Sequence, residues 1–242
     1  MDILKKGAQQ FSIDISEQQL SSFQIYSTEL MLWNSIMNLT AIRNEPDIEN
    51  KHFLDSISIV PVISDLIANN RPVSVIDIGS GAGFPGMPLK ILFPHIDLTL
   101  VESNGKKVSF LHHVSGKLGF DDVVIYHQRA EILAHEESMR EKFDLILSRA
   151  VAELRVLSEI TLPFCKLGGR VVLHKGSDVD REMEESTYSI NLMGGRISHI
   201  ENIQLSRLNI DRSAVVIEKN QISPIQYPRR PGMPSKKPLG SF

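Results

Sequence analysis

The sequence predicts an α/β fold: a mostly parallel sheet of seven strands closed by an antiparallel terminal hairpin, with a helical extension before it. Three observations predict this. From residue 73 onward, short β-branched runs alternate with helical windows, which implies right-handed crossovers and a parallel sheet covered on both faces. The last two runs, RISHIENIQL (196–205) and RSAVVIEKN (212–220), leave no room for a helix between them and so pair as a hairpin. Before residue 71 the apolar residues recur at spacings of three and four, the period of an amphipathic helix.

The elements follow in order. Leu20, Phe23, Tyr26, Leu30 and Trp33 share one helix face. Ser16 is its N-cap, with Gln19 completing a capping box. A second helical stretch, PDIENKHFLDSISIVPVISDLI, has Pro46 in its first turn and is kinked or ended by Pro61. The turn NNRP (69–72) marks the boundary with the sheet. The strands are VSVIDIG (73–79), DLTLVES (97–103), DVVIYHQ (122–128), FDLILSRA (143–150) and GRVVLHKG (169–176), then the hairpin. The chain thus divides into a helical extension (1–70), a sheet domain (71–220) and a basic tail (221–242). The tail is rich in Pro, Gly, Lys and Arg and is expected to lack regular structure.

The 242 residues, 42% hydrophobic and 23% charged, are ordinary for a globular protein. No apolar run approaches the ~20 residues of a membrane span, and the N-terminus does not read as a signal peptide. The single cysteine, Cys165, excludes an internal disulfide and a cysteine metal cluster, and reads as a small buried hydrophobe. A cytoplasmic protein is expected, without membrane partner or metal. The net charge of −3 excludes a uniformly basic nucleic-acid binder, but after Glu218 there is no acid and there are five bases. Positive charge for a polyanion is concentrated in the tail.

Residues 75–86 read VIDIGSGAGFPG, with four glycines in eight positions after an apolar strand. Ligands of doubly wound sheets sit beyond the carboxyl ends of the strands. Gly79, Gly81 and Gly83 let the chain turn sharply with its amides close to a ligand. Glu102 stands at the end of the next strand, 23 positions after Gly79, where an acid would hold a ribose through its hydroxyls. The pattern also satisfies G-x-G-x-x-G, so a nicotinamide enzyme is a competing reading. Three features weigh against it. Asp77 precedes the turn as D-x-G-x-G-x-G, a pattern associated with S-adenosylmethionine (SAM) sites. The terminal hairpin suits a methyltransferase sheet. Phe84-Pro85 fills the place where a pyrophosphate needs open amides.

The chain resembles the RsmG (GidB) family, bacterial methyltransferases acting on 16S ribosomal RNA. The resemblance rests on NLTAI (38–42), HFLDS (52–56), DIGSGAGFPGMPLKI (77–91), VESNGKKVSFL (101–111), RAE (129–131), SRAVAEL (148–154), the LGG and HKG around the fifth strand, and PRRPGMPSKKPL (228–239). It runs from the N-terminal helices to the tail in order; Met87 departs from the commonest family pattern. It implies a Rossmann-like class I SAM-dependent methyltransferase fold, SAM as cofactor, and 16S rRNA or the small ribosomal subunit as partner, with a monomeric enzyme. The implied product is 7-methylguanosine in the 530 loop (conventional position 527). A non-catalytic RNA-binding module on the same fold is the remaining alternative, and the intact cofactor motifs argue against it.

The resemblance also implies site residues. Gly79, Gly81 and Phe84 line the SAM pocket, Glu102 binds the ribose, and Ala130 and Glu131 border the adenine. Arg149, after the fourth strand, reaches the cofactor or the target base. His52 lies on a helix that closes over the pocket, although the His52–Asp55 spacing by itself reads as a polar pair on a solvated helix face. Arg229, Arg230, Lys236 and Lys237 are candidates for RNA phosphates. Lys106 and Lys107 could join them, and a solvated helix face explains them equally well. No catalytic acid or base is assigned. The fourth strand ends Leu147-Ser148-Arg149-Ala150 rather than in the Asp/Asn-Pro-Pro-aromatic motif that holds an exocyclic amine, and guanine N7 needs no such device.

Overall fold

The structure, a computed structural model, describes residues 1–67, 71–149, 152–176, 179–205 and 210–240. Asn69 and Asn70 of the expected boundary turn, Ala150 of the fourth-strand segment and the last two residues of the tail lie outside the described residues.

After a short helix α1 (Asp2–Ala8) the chain enters α2 (Glu17–Met37) through Ser16, whose hydroxyl accepts from Gln19 N while the Gln19 side chain accepts from Ser16 N. This is the expected capping box. Phe23, Tyr26 and Leu30 form its buried face. The Gln19 amide also donates to the carbonyls of Ile91 and Leu92, fixing α2 against the first crossover helix. Asn34 then shapes the loop that follows: its Nδ2 donates to Ile42 O and its Oδ1 accepts from Thr40 N. The second helical stretch is broken into α3 (Glu45–Ile48), a wide π-helical turn (Glu49–Leu54) and α4 (Asp55–Ile57). Pro61 then sits in the first turn of α5 (Val60–Ile67), where its missing N–H costs no helix bond.

The strands are β1 (Val73–Ile78), β2 (Ile96–Glu102), β3 (Val124–His127), β4 (Phe143–Arg149), β5 (Cys165–Lys175), β6 (Gly195–Leu205) and β7 (Ile210–Lys219). They form a seven-stranded sheet in the order β3-β2-β1-β4-β5-β7-β6. The pairs from β3 through β5 are parallel; β7 is antiparallel to both β5 and β6. The helices between them are α6 (Gly86–Leu92), α7 (Gly105–Leu118), α8 (Ala130–Leu133), α9 (Leu154–Thr161) and α10 (Asp180–Leu192). Alternation along each strand splits the core. Val73 and Val75, Leu145 and Leu147, Val172, and Ala214 and Val216 join the side that holds the N-terminal helices, α6 and α7. Ile76 and Ile78, Ile146, Val171 and Leu173, and Val215 and Ile217 join the side that holds α9 and α10. The extension thus contributes to the sheet's own core rather than standing apart.

The strand order reverses at β1, which has β2 on one side and β4 on the other. A ligand cleft forms beyond the carboxyl ends at such a switch point. No helix among the described residues is long and apolar enough to cross a membrane.

The described part of the tail, expected to lack regular structure, has a single helical turn and is nonetheless pinned to the domain by side chains. Arg140 donates to the carbonyls of Ser223, Pro224 and Tyr227, and His135 Nε2 lies 2.7 Å from Pro228 O. Lys219, fully buried, donates to Leu162 O, Met193 O and the Ser223 hydroxyl. One helical turn, α11 (Met233–Lys236), follows. Fixed side-chain hydrogen bonds hold this segment where repeating backbone bonds are absent.

Candidate active site

The glycine turn leaves β1 at Gly79. Gly79 and Gly81 have φ of 71° and 62°, a region that glycine occupies at little cost. A Cβ at Gly81 would meet only Gly79 O, at 4.0 Å, so the space beside it is open. Asp77, buried at the end of β1, holds the turn's far side: its Oδ2 accepts from Gly86 N at 2.9 Å. Burial pushes the Asp77 carboxyl up to about 7, with the Gly86 hydrogen bond opposing.

Glu102 joins the turn to the second strand. Its Oε2 accepts from Gly81 N at 2.9 Å and its Oε1 from Asn104 N at 2.7 Å. Asn104 in turn caps α7. The carboxylate is therefore fixed in orientation, and each oxygen keeps a lone pair for another donor.

Two cavities adjoin at this turn, both bordered by Gly79 and Ser103. One, of about 230 Å³, is bordered by Ile78, Val101, Ala130 and Glu131. The other, of about 370 Å³, is bordered by Gly81, Phe84, Glu102, His52 and Arg149. The expected cofactor-site residues are thus brought together, in two groups on either side of Gly79. Lys107 borders the second cavity as well.

Sequence reasoning missed the other wall of the first cavity. Pro234 and Ser235, from α11, border it. They are held there by two contacts. Gly232 N donates to Glu131 Oε1 at 3.0 Å. Arg229 donates from its main-chain N and from Nε to Glu159 Oε1 and from a terminal nitrogen to Oε2, at 2.8, 2.9 and 2.6 Å. Glu159 is fully buried. Arg229, expected at an RNA phosphate, thus anchors this segment through Glu159. Arg230, Lys236 and Lys237 are exposed. The density of prolines next to the paired arginines was the one sequence signal of a fixed segment.

His52 and Asp55 are buried, not on a solvated face. Arg149 explains why: it donates to Asp55 Oδ2 at 2.8 Å and, through its other terminal nitrogen, faces His52 Nδ1 at 3.2 Å. Nδ1 must then accept, which leaves the proton on Nε2, 2.9 Å from the Thr40 hydroxyl. Burial, aided by the Arg149 charge, lowers the His52 imidazole to about 3. The His52 ring stacks on Phe84 at 4.4 Å, the Tyr26 ring lies 5.3 Å from Phe84, and Arg149 sits 5.1 Å from its centroid. Tyr26 donates to Ala82 O at 2.5 Å. The extension thereby fixes the aromatic floor of the second cavity. Cys165 is buried and its thiol is pushed up to about 12 by burial, so it is no nucleophile. Among the described residues no group of three or more His, Cys, Asp and Glu side chains could hold a metal ion.

The geometry fits SAM. The open space at Gly81, the oriented Glu102 carboxylate, and the buried, unpartnered Ser80 hydroxyl suit a ligand with polar ends and no phosphate.

The family model for rRNA small subunit methyltransferase G matches residues 19–210. A ribosomal RNA small subunit methyltransferase G of Dehalococcoides mccartyi is 44% identical over 239 residues, covering 99% of this chain and all of that one. One of Bacillus cereus is 41% identical, covering 94% and 93%. Among solved structures, MtNAS in complex with S-adenosylmethionine matches with a TM-score of 0.54 at 14% identity, over 85% of this chain and 73% of that one. TYW2 of M. jannaschii in complex with AdoMet matches with a TM-score of 0.50 at 13% identity, over 67% and 76%. These structural likenesses show the fold. The full-length relatives set aside the nicotinamide reading that the glycine pattern alone left open, and the chain belongs to the rRNA small subunit methyltransferase G family of SAM-dependent enzymes.

Proposed function

We propose that the protein transfers a methyl group from SAM to N7 of a guanine in the 530 loop of 16S rRNA, conventional position 527. The observation that carries the reading is the end of β4. Where an amine-methylating enzyme would present acceptors to an N–H group, this chain presents Arg149, a donor already tied to Asp55 and His52. An acceptor atom with a free lone pair, such as guanine N7, suits that environment, because no proton has to be removed before attack.

SAM supplies an electrophilic methyl group on its sulfonium. Gly79, Gly81 and Glu102 would hold it at one side, with Ala130 and Glu131 at the other. Phe84, Tyr26 and His52 keep the second cavity rigid and apolar on one face. The residues contribute mainly by positioning, which can supply up to about 7–11 kcal/mol when the reacting atoms are aligned. His52 has both ring nitrogens engaged, and so serves orientation rather than proton transfer.

The test is to incubate the protein with labelled SAM and either small subunits or deproteinised 16S rRNA, then digest and map the methylated nucleoside. A single 7-methylguanosine in the 530 loop is expected. Methylation of another atom or another loop would sink the assignment, and the two substrates tell whether naked RNA suffices.

A further inference from the structure

A third cavity, of about 330 Å³, lies across the His52–Arg149 pair from the glycine turn. His52 and Arg149 border both spaces. The third cavity adds Lys51, Asp55, His174, Lys175 and Arg212, from the N-terminal helices, β5 and β7. None of these belongs to the glycine turn or the ribose position.

Its charge is unbalanced. Among the described residues Asp55 is the one carboxylate on the lining, and it is shared by two guanidiniums: Arg149 at 2.8 Å and Arg212 Nε at 3.0 Å. Burial favours the neutral acid, but His174, Arg149 and Arg212 outweigh it and hold the carboxyl below its usual range. Lys175 donates to Ala152 O and pairs with Glu182 at 2.8 Å, and Lys51 pairs with Asp47 at 3.0 Å. With those acids counted, a surplus positive charge remains at the two arginines among the described residues. Arg149 also faces His52 Nδ1, Lys51 O and the Ser56 hydroxyl, whereas Arg212 meets Asp55 through Nε and has its terminal N–H groups for another acceptor.

A second observation points to a ligand. His174 is 3% exposed, yet neither ring nitrogen has a hydrogen-bond partner. Its Nε2 is 3.6 Å from Asp55 Oδ1, beyond hydrogen-bond reach. Burial lowers the imidazole to about 4, so at neutral pH it offers one N–H donor. Buried polar groups are normally satisfied, and this one faces a donor-rich space.

We infer that this cavity seats an RNA backbone phosphodiester beside the target nucleotide, with Arg212 and Lys175 as its contacts. The inference rests on the proposed function. A base edge would need acceptors as well as donors, and the one carboxylate here is already taken by both arginines. A phosphate is acceptor-only and negative, and guanidinium–phosphate bonds are among the strong charge-assisted kind. Sharing His52 and Arg149 with the cavity of the glycine turn places that phosphate next to the nucleotide being methylated.

The test uses the full chain and a 530-loop RNA hairpin, with single neutral methylphosphonate linkages introduced one at a time around the target guanine. Arg212→Gln should weaken binding of the natural hairpin about tenfold, the scale of a lost charged hydrogen bond, and lower the salt slope by roughly 0.7. SAM affinity should stay unchanged. One methylphosphonate linkage should cost the wild type a similar factor and cost Arg212→Gln almost nothing. Lys175→Gln, which leaves Asp55 its partners, should show the same lost sensitivity at the same linkage. Additive penalties, insensitivity of the wild type to every linkage, or a parallel loss of SAM affinity would each overturn the assignment. A failed function reading looks different: the wild type would methylate another position while the linkage data still report on this cavity.

Discussion

The Glu102 carboxylate faces the cavity and also braces the glycine turn, because its Oε2 accepts from Gly81 N at 2.9 Å. Replacing Glu102 with alanine therefore removes the carboxylate proposed to hold the ribose and leaves the Gly81 and Asn104 amides without their acceptor. SAM affinity should fall by about 1–3 kcal/mol, the scale of a charge-assisted hydrogen bond. Glu102→Gln keeps one acceptor oxygen and should lose less. Isothermal titration on folded protein reads both; equal affinity in wild type and Glu102→Ala would remove the ribose assignment.

Gly81→Val separates the two uses of the turn. At φ 62° a β-branched residue is strained, at a cost of order 1–3 kcal/mol. The open space beside Gly81 means the protein itself does not reject the side chain. The variant should remain folded with a lowered melting temperature and should lose SAM binding. Normal binding would make the turn structural only.

The sheet was legible because its signals are local: short apolar runs such as Leu145–Ile146–Leu147 and Ala214–Val215–Val216–Ile217 alternate with helical windows, and the fold then sends successive residues of each run to opposite core faces. The meeting of the glycine turn with Glu102 was legible for the same reason, since Gly79, Gly81 and Glu102 stand at a recognisable spacing. His52 and Asp55 were not, since their burial depends on Arg149, more than ninety positions along the chain. The pairing of Arg229 was not legible either, because its partner Glu159 lies 70 residues away and looks like any other helix acid. A charge shows its type in the sequence, and only the fold shows what it is paired with.

His52 sets a pH dependence. Its folded value, lowered to about 3 by burial and by Arg149, lies well below the ordinary 6.5. The unfolded chain therefore binds a proton below about pH 6.5 that the native state refuses. The stability is fully present above pH 6.5 and is lost as pH falls toward 3, by no more than about 1.4 kcal/mol per pH unit for one proton. Asp77, pushed up to about 7, acts with the opposite sign, its contribution fading as pH rises from about 4 to 7. Comparison with His52→Gln isolates the histidine. Urea unfolding at pH 6.5, 5.5 and 4.5 should show the wild type losing more stability than the variant on acidification. Parallel curves would mean that His52 is not held neutral by its surroundings.

The basic tail divides into an anchor and a free set. Glu159 is fully buried, and Arg229, with 26% of its side chain exposed, is its ion-pair partner. Arg229→Ala leaves that carboxylate uncompensated. The cost should be below the about 3–5 kcal/mol of a fully buried pair, because Arg229 keeps part of its surface in water. Since Arg229 holds the segment that brings Pro234 and Ser235 to the first cavity, the same change should weaken SAM binding. Replacing Arg230, Lys236 and Lys237 with glutamine should do neither, because these side chains are exposed. If they meet RNA phosphates, RNA affinity should fall and the salt slope should drop by roughly 0.7–0.9 for each lost contact. The loss should be similar for matched and mismatched loops, since phosphate contacts carry no sequence information directly. Melting temperature, SAM affinity and salt-dependent RNA binding on the two variants distinguish the roles. An Arg229→Ala protein with wild-type melting and SAM affinity would release the tail from the cofactor site. An unchanged salt slope in the triple variant would release its outer bases from the RNA.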